Sequence, residues 1–245
     1  MPMSLGSSLM LGATNAIPFQ PQSLGSALVA WWDPYYGITK NSISNAISNW
    51  LDRVNNLDIY QTTGSFQPTY VASSATMNNN PCLSYTVPPQ SMNISPMPVG
   101  LRVQQGPSTY LAVVRGQNDV LNSGGNSAGG FNLGLLSSKV AVSTRFASST
   151  PTQSGLTTVS ATTRAMIGHM NDGSKIYPLL NGAKDNTGVA VGTPTTPLTS
   201  LRIGYRGTNA TAFTGEIGDV LIFNRNLTDS ELLKLYLWAK ERWAL

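Results

Sequence analysis

Apolar and polar positions along this chain alternate over short runs instead of recurring every three to four residues. A side-chain period of two marks a strand with one buried face and one wet face. Ala27–Pro34, "ALVAWWDP", is the first such run. Ile47–Val54 and Leu57–Thr62 follow, separated by the turn-forming pair Asn55-Asn56. "PTYV" (68–71) and "PCLSYTV" (81–87) read as two more short strands. "STYLAVVRG" from Ser108 is near-continuously apolar, the pattern of a strand buried on both faces. "FNLGLL" and "KVAVSTRF" predict one hairpin, and the strands around Asn171-Asp172-Gly173-Ser174 another, since Asp-Gly supplies the positive φ of a tight turn. "LTSLRIGYRG" (198–207) and "GEIGDVLIFNRNL" (215–227) are the last strands. With turn chemistry every 8–12 residues and no βαβ alternation, the pattern predicts an all-β sandwich or barrel of about a dozen strands.

The period changes once, near the end. Thr228 is placed to cap a helix, with Glu231 three residues on to complete a capping box. Leu232, Leu235, Tyr236, Ala239 and Trp243 then recur at helical spacing, and Lys234, Lys240, Glu241 and Arg242 lie mostly elsewhere. The spacing predicts an amphipathic helix over 228–243 whose apolar face packs on the sandwich.

Residues 1–26 follow neither period. Leu5, Met10, Leu11, Ile17 and Phe19 are interrupted by Gly6, Gly12, Pro18 and Pro21, which predicts an extended arm, with the sandwich occupying 27–245. The arm's apolar residues are candidate contacts to a partner. The alternative is that the arm folds back to cover an edge strand of its own sandwich.

Composition narrows the classes. Only 11% of residues are charged, against roughly 25% in an ordinary soluble domain. A surface that poor in charge suits a protein covered by neighbours in an assembly. The net charge of +4 is scattered without a basic stripe, so no nucleic-acid partner is expected. No apolar run reaches membrane-spanning length and no signal peptide is expected: no Lys or Arg precedes Lys40.

Candidate chemistry is sparse. The single cysteine, Cys82, excludes an intramolecular disulfide and reads as a buried inert thiol. The single histidine, His169, lies in a different strand, so no Cys/His pair is expected. Glu216 and Asp219 are three apart, which on a regular strand puts them on opposite faces. The remaining acids are isolated in sequence, and neither a catalytic carboxylate pair nor a metal site or cofactor is expected. Trp31 and Trp32 are adjacent, so one should point outward. Trp32 with Tyr35 and Tyr36 is a candidate glycan- or protein-docking surface, unless the outward ring packs under the arm or the helix.

The closing stretch "FTGEIGDVLIFNRNLTDSELLKLYLWAKERWAL" resembles the last strand and helix of the concanavalin A-like lectin/glucanase superfamily in its laminin-G-like form. "SLRIGYR", "AMIGHMNDGSKIYPLLNG", "LVAWWDP" and "SNWLDRVNN" extend the resemblance over 27–245. It implies a jelly-roll β-sandwich and serves lectins, glycosidases, adhesion modules and virus particles alike. The glucanase spacing of three acids on one strand is missing, so the resemblance does not carry that activity over. The "SLGSSLMLG" start and the low charge also resemble accessory proteins of tailed-phage virions. The reading that follows is a non-enzymatic virion protein, assembled in the host cytoplasm as a homo-oligomer against capsid or tail subunits. A glycan-binding lectin or receptor-binding adhesin is the alternative, and a glycoside hydrolase the third.

Overall fold

The structure, a computed structural model, describes residues 18–87, 89–102, 106–123, 130–144, 150–192, 199–205 and 212–245. Seventeen strands and one α-helix are formed among them. In chain order the strands are β1 (Leu28–Trp32), β2 (Ile38–Lys40), β3 (Ile47–Leu51), β4 (Asp58–Tyr60), β5 (Thr69–Ser74), β6 (Asn80–Tyr85), β7 (Met92–Ile94), β8 (Ser108–Ser123) and β9 (Phe131–Leu136). They continue with β10 (Lys139–Thr144), β11 (Thr152–Ser154), β12 (Ala165–Asn171), β13 (Lys175–Leu180), β14 (Ala183–Lys184), β15 (Val189–Ala190), β16 (Leu201–Ile203) and β17 (Thr214–Phe223). Helix α1 spans Asp229–Trp243. Pro21–Ala27, which overlaps the end of the arm expected over residues 1–26, forms 3₁₀ turns.

The strands build two antiparallel sheets. In the helix-side sheet, β17 pairs with β8 along one edge and with β6 and β1 along the other. β8 then pairs with β12, and β12 with β13. The second, polar-faced sheet runs β2-β3-β4-β7-β16-β8-β9-β10-β11. β8 belongs to both, its first half in one sheet and its second half in the other. The change of sheet occurs beside Gly116, whose φ is 156° and whose added Cβ would lie 2.3 Å from the Thr214 carbonyl oxygen. Gly215 faces it under the same constraint, so this crossing needs glycine on both strands.

Two apolar layers result. Between the sheets lie Trp32, Trp50, Tyr110, Leu121, Phe131, Ile167 and Ile222 among others. On the far side of the helix-side sheet, Trp31, Leu111, Val113, Leu221 and Phe223 meet Leu232, Leu235, Trp238, Ala239 and Trp243 of α1. The helix-side sheet is therefore dry on both faces, which is why β8 reads as an unbroken apolar run. Helix α1 starts with the expected capping box: Thr228 Oγ1 accepts from Glu231 N, and the Glu231 carboxylate accepts from Thr228 N. Among the described residues no helix is long and apolar enough to cross a membrane.

Candidate functional site

The polar-faced sheet turns its other side away from the core, exposed at Thr39 and Tyr60 and buried at Asn122 and Asn132. The inward positions are Trp50, Ile59, Ile94, Leu201, Ile203, Leu133 and Val142, all in the inter-sheet core. The cross-strand register then defines the row between them. Asn49 lies opposite Tyr60, Tyr60 opposite Asn93, and Asn93 opposite Arg202. Arg202 lies opposite Asn122, and Asn122 opposite Asn132. Thr39 extends the row at one end, Ser143 and Thr152 at the other. Each of nine strands contributes one residue, and every one carries a polar group.

Over the middle of this row is a cleft of about 330 Å³. Asn93 and Arg202 come from the sheet, Gln61 and Ser91 flank them, and Phe66 and Tyr205 supply rings. Phe66 is 39% exposed, a large ring left at the surface. The polar side chains are braced by one another and by the backbone. Gln61 Nε2 donates to Ser91 Oγ at 3.2 Å, Asn93 Nδ2 donates to the same oxygen at 3.3 Å, and the Tyr60 hydroxyl donates to the Ser95 carbonyl at 3.0 Å. Farther along the sheet Asn132 Nδ2 donates to Asp119 Oδ1 at 2.5 Å. The Asp119 Oδ2, Asn122 Oδ1 and Asn132 Oδ1 atoms are buried without a hydrogen-bond partner.

The sequence pointed elsewhere. Trp32 is fully buried in the inter-sheet core and is no docking residue. Trp31, its neighbour, is buried too, edge-on to Trp238 at 5.6 Å beneath the helix. Both rings are dry because this sheet is covered on both sides. Tyr35 and Tyr36 are exposed, as expected. The Tyr35 hydroxyl donates to Asn80 Oδ1 at 2.5 Å, and the Arg242 guanidinium sits 4.7 Å from its ring. Of the arm residues, Leu5, Met10, Leu11 and Ile17 lie outside the described residues. Phe19 is partly buried and packs against the helix-side core of its own molecule.

The acids also depart from expectation. Between Ile217 and Val220, β17 spends one residue more than β8, which pairs them with Val114 and Ala112. This β-bulge turns Asp219 back to the face that Glu216 occupies. Glu216 accepts from Ser74 and Thr76 and lies 3.5 Å from Arg115. Asp219 is fully buried, accepting from Trp31 Nε1 at 2.8 Å and Trp243 Nε1 at 2.7 Å. Arg242 reaches over it to Asp33, which Arg53 also contacts. Burial lifts the Asp219 carboxyl to about 6, with Arg242 opposing and Asp33 adding to the rise. A raised acid beside a second carboxylate is the pattern of a hydrolytic pair. Here Asp219 is sealed under Trp31, Trp243 and Arg242, where it anchors the helix, while Glu216 is spent on Ser74, Thr76 and Arg115.

Cys82 is buried, and burial, with Glu216 nearby, pushes its thiol up to about 12. His169 is fully buried, 3.3 Å from Thr144 Oγ1, and burial pushes it down to about 4. Among the described residues no three or more His, Cys, Asp or Glu side chains gather where they could hold a metal ion.

Comparison with known proteins places this architecture. Residues 103–233 match the family model described as the concanavalin A-like lectin/glucanases superfamily. The chain belongs to that superfamily. Among curated proteins no relative matches. The solved structures that match this superfamily member share its fold at low identity. The binding domain of Paraclostridial Mosquitocidal Protein 1 superposes with a TM-score of 0.64 at 13% identity, over 86% of this chain and 52% of that one. Trypanosoma rangeli sialidase in complex with sialic acid gives 0.57 at 14%, over 86% of this chain and 33% of the sialidase, so the chain spans about a third of that enzyme's length. The CBM40 of Ruminococcus gnavus IT-sialidase, bound to α2,3-sialyllactose, gives 0.50 at 15%, over 63% of this chain and 96% of that one.

Proposed function

We propose that this chain is a non-catalytic carbohydrate-binding module whose ligand lies in the cleft on the polar-faced sheet. The observation that carries the reading is the cleft over the polar row, floored by Asn93 and Arg202 and flanked by Gln61 and Ser91. Sugar hydroxyls donate and accept in fixed directions. Amides held on a rigid sheet meet them with little reorganisation. The apolar face of a sugar ring finds Phe66 and Tyr205 at the same cleft. The fold shared with a CBM40 bound to sialyllactose supports the class of ligand. No carboxylate is among the described residues lining the cleft, which supports binding without hydrolysis.

A virion accessory role is the second reading, favoured by the 11% charged composition, which suits a surface largely covered by capsid or tail subunits. A glycan-binding module carried on a particle would satisfy both.

A glycan array followed by calorimetry tests the primary reading. Single-site affinity near millimolar, about −4 kcal/mol, is expected for so small a cleft. Asn93→Ala should weaken binding about tenfold or more with the melting temperature unchanged, because loss of a positioned hydrogen bond costs on the order of 1.5 kcal/mol. Absence of glycan binding at millimolar protein, or unchanged affinity in Asn93→Ala, overturns it.

A further inference from the structure

Arg202 stands apart from the other arginines. Arg53 and Arg242 hold Asp33, Arg115 holds Glu216, and Arg225 holds Glu231. Arg102 and Arg164 donate to backbone carbonyls. Among the described arginines Arg202 alone makes no side-chain hydrogen bond or ion pair. Yet it is not a solvated surface residue. It is half-buried at the centre of the polar row, between Asn93 and Asn122, and lines the cleft.

None of the Arg202 nitrogens is buried without a partner, so the guanidinium stays open to the cleft and is free to take a partner from it. The described residues that line the cleft offer amides, hydroxyls and rings, and no carboxylate. Asp119, the acid on the adjoining strand, accepts from Asn132 and not from Arg202. The group that fits a fork of parallel donors is a planar or tetrahedral anion.

We infer that the ligand of this cleft is an acidic saccharide whose carboxylate or sulfate group sits on Arg202. The inference rests on the carbohydrate-binding reading and adds the charge of the ligand to it. Asn93 and Gln61 then read hydroxyls beside the anion, and Phe66 meets the ring. The basic balance of the chain, +4 overall, favours approach of such a ligand.

The test compares oligosaccharides that differ only in their acidic group: sialylated, uronic-acid-containing, sulfated and neutral versions. At least one acidic version should bind about tenfold tighter than its neutral counterpart, and the advantage should shrink as salt is raised. The sialylated and uronic arms against the sulfated arm tell carboxylate from sulfate. Arg202→Gln should remove the preference while leaving the melting temperature unchanged, and Arg202→Lys should keep part of it. Equal binding of neutral and acidic versions, or a preference that survives Arg202→Gln, overturns the inference and leaves the module reading standing. Absence of binding to every version overturns the module reading itself.

Discussion

At the level of single residues, two buried ionisable groups respond to acid in opposite directions. His169 titrates at about 4 in the fold, below its ordinary 6.5, because burial penalises the imidazolium. Below pH 6.5 the unfolded chain takes up a proton that the fold refuses, so stability falls as pH drops toward 4. Asp219 works the other way. Its folded value of about 6 exceeds the ordinary 3.8, so its contribution is full below about 4 and is lost as pH rises through 6. His169→Gln removes the first effect and keeps the second. Melting curves of the variant and the wild-type chain should therefore diverge with acid. Between pH 7 and 4.5 the difference should move in the variant's favour by on the order of 2 kcal/mol. Parallel profiles would show that His169 does not titrate against burial. The same residue scale explains why Trp32 misled the sequence reading. Alternation says that one of two adjacent tryptophans faces away from the inter-sheet core but not which; Trp32 faces it, and Trp31 lies under the helix, the alternative that the sequence also offered.

Among the elements, α1 was the most legible, since its cap, stripe and boundaries are all local. Thr228, Glu231 and the apolar positions are set by neighbours within a few turns, so sequence spacing suffices. That it packs on the sandwich was legible too, but the polar anchor beneath it was not. The buried acceptor for Trp31 and Trp243 depends on a β-bulge in β17, and a bulge changes the face of a side chain without leaving a local signature. Gly218 is its one sequence trace, because an added Cβ there would lie 2.7 Å from the Trp243 ring. Arg242 fastens the helix to this point. Arg242→Met leaves Asp219 and Asp33 in place with the helix-borne cation removed, and should cost roughly 3–5 kcal/mol. Chemical denaturation checks this. A loss below about 1 kcal/mol would mean that the ion cluster contributes little to docking.

For the whole molecule, the fold class was legible because turn chemistry recurs along the chain, while the candidate site was not. Its floor takes one residue from each of several strands, so no short motif contains it. β7, which brings Asn93, is only three residues long amid prolines, too short for alternation to register. Arg202 looked like one scattered basic residue among others until the sheet placed it. The pairing of β17 has a further consequence, for the order of events when the chain is made. β17 is an interior strand of the helix-side sheet, flanked by β8 on one edge and by β6 and β1 on the other, yet it follows all three in the chain. A nascent chain must therefore hold β1, β6 and β8 apart, apolar and unpaired on that side, until β17 emerges to join them. Such long-range closure is slow compared with local pairing, and a chain with few charges has little to keep the waiting edges from one another. Fragments ending at residue 213 should show no cooperative melting transition and should aggregate, while the full chain refolds at a rate limited by the arrival of its closing strand.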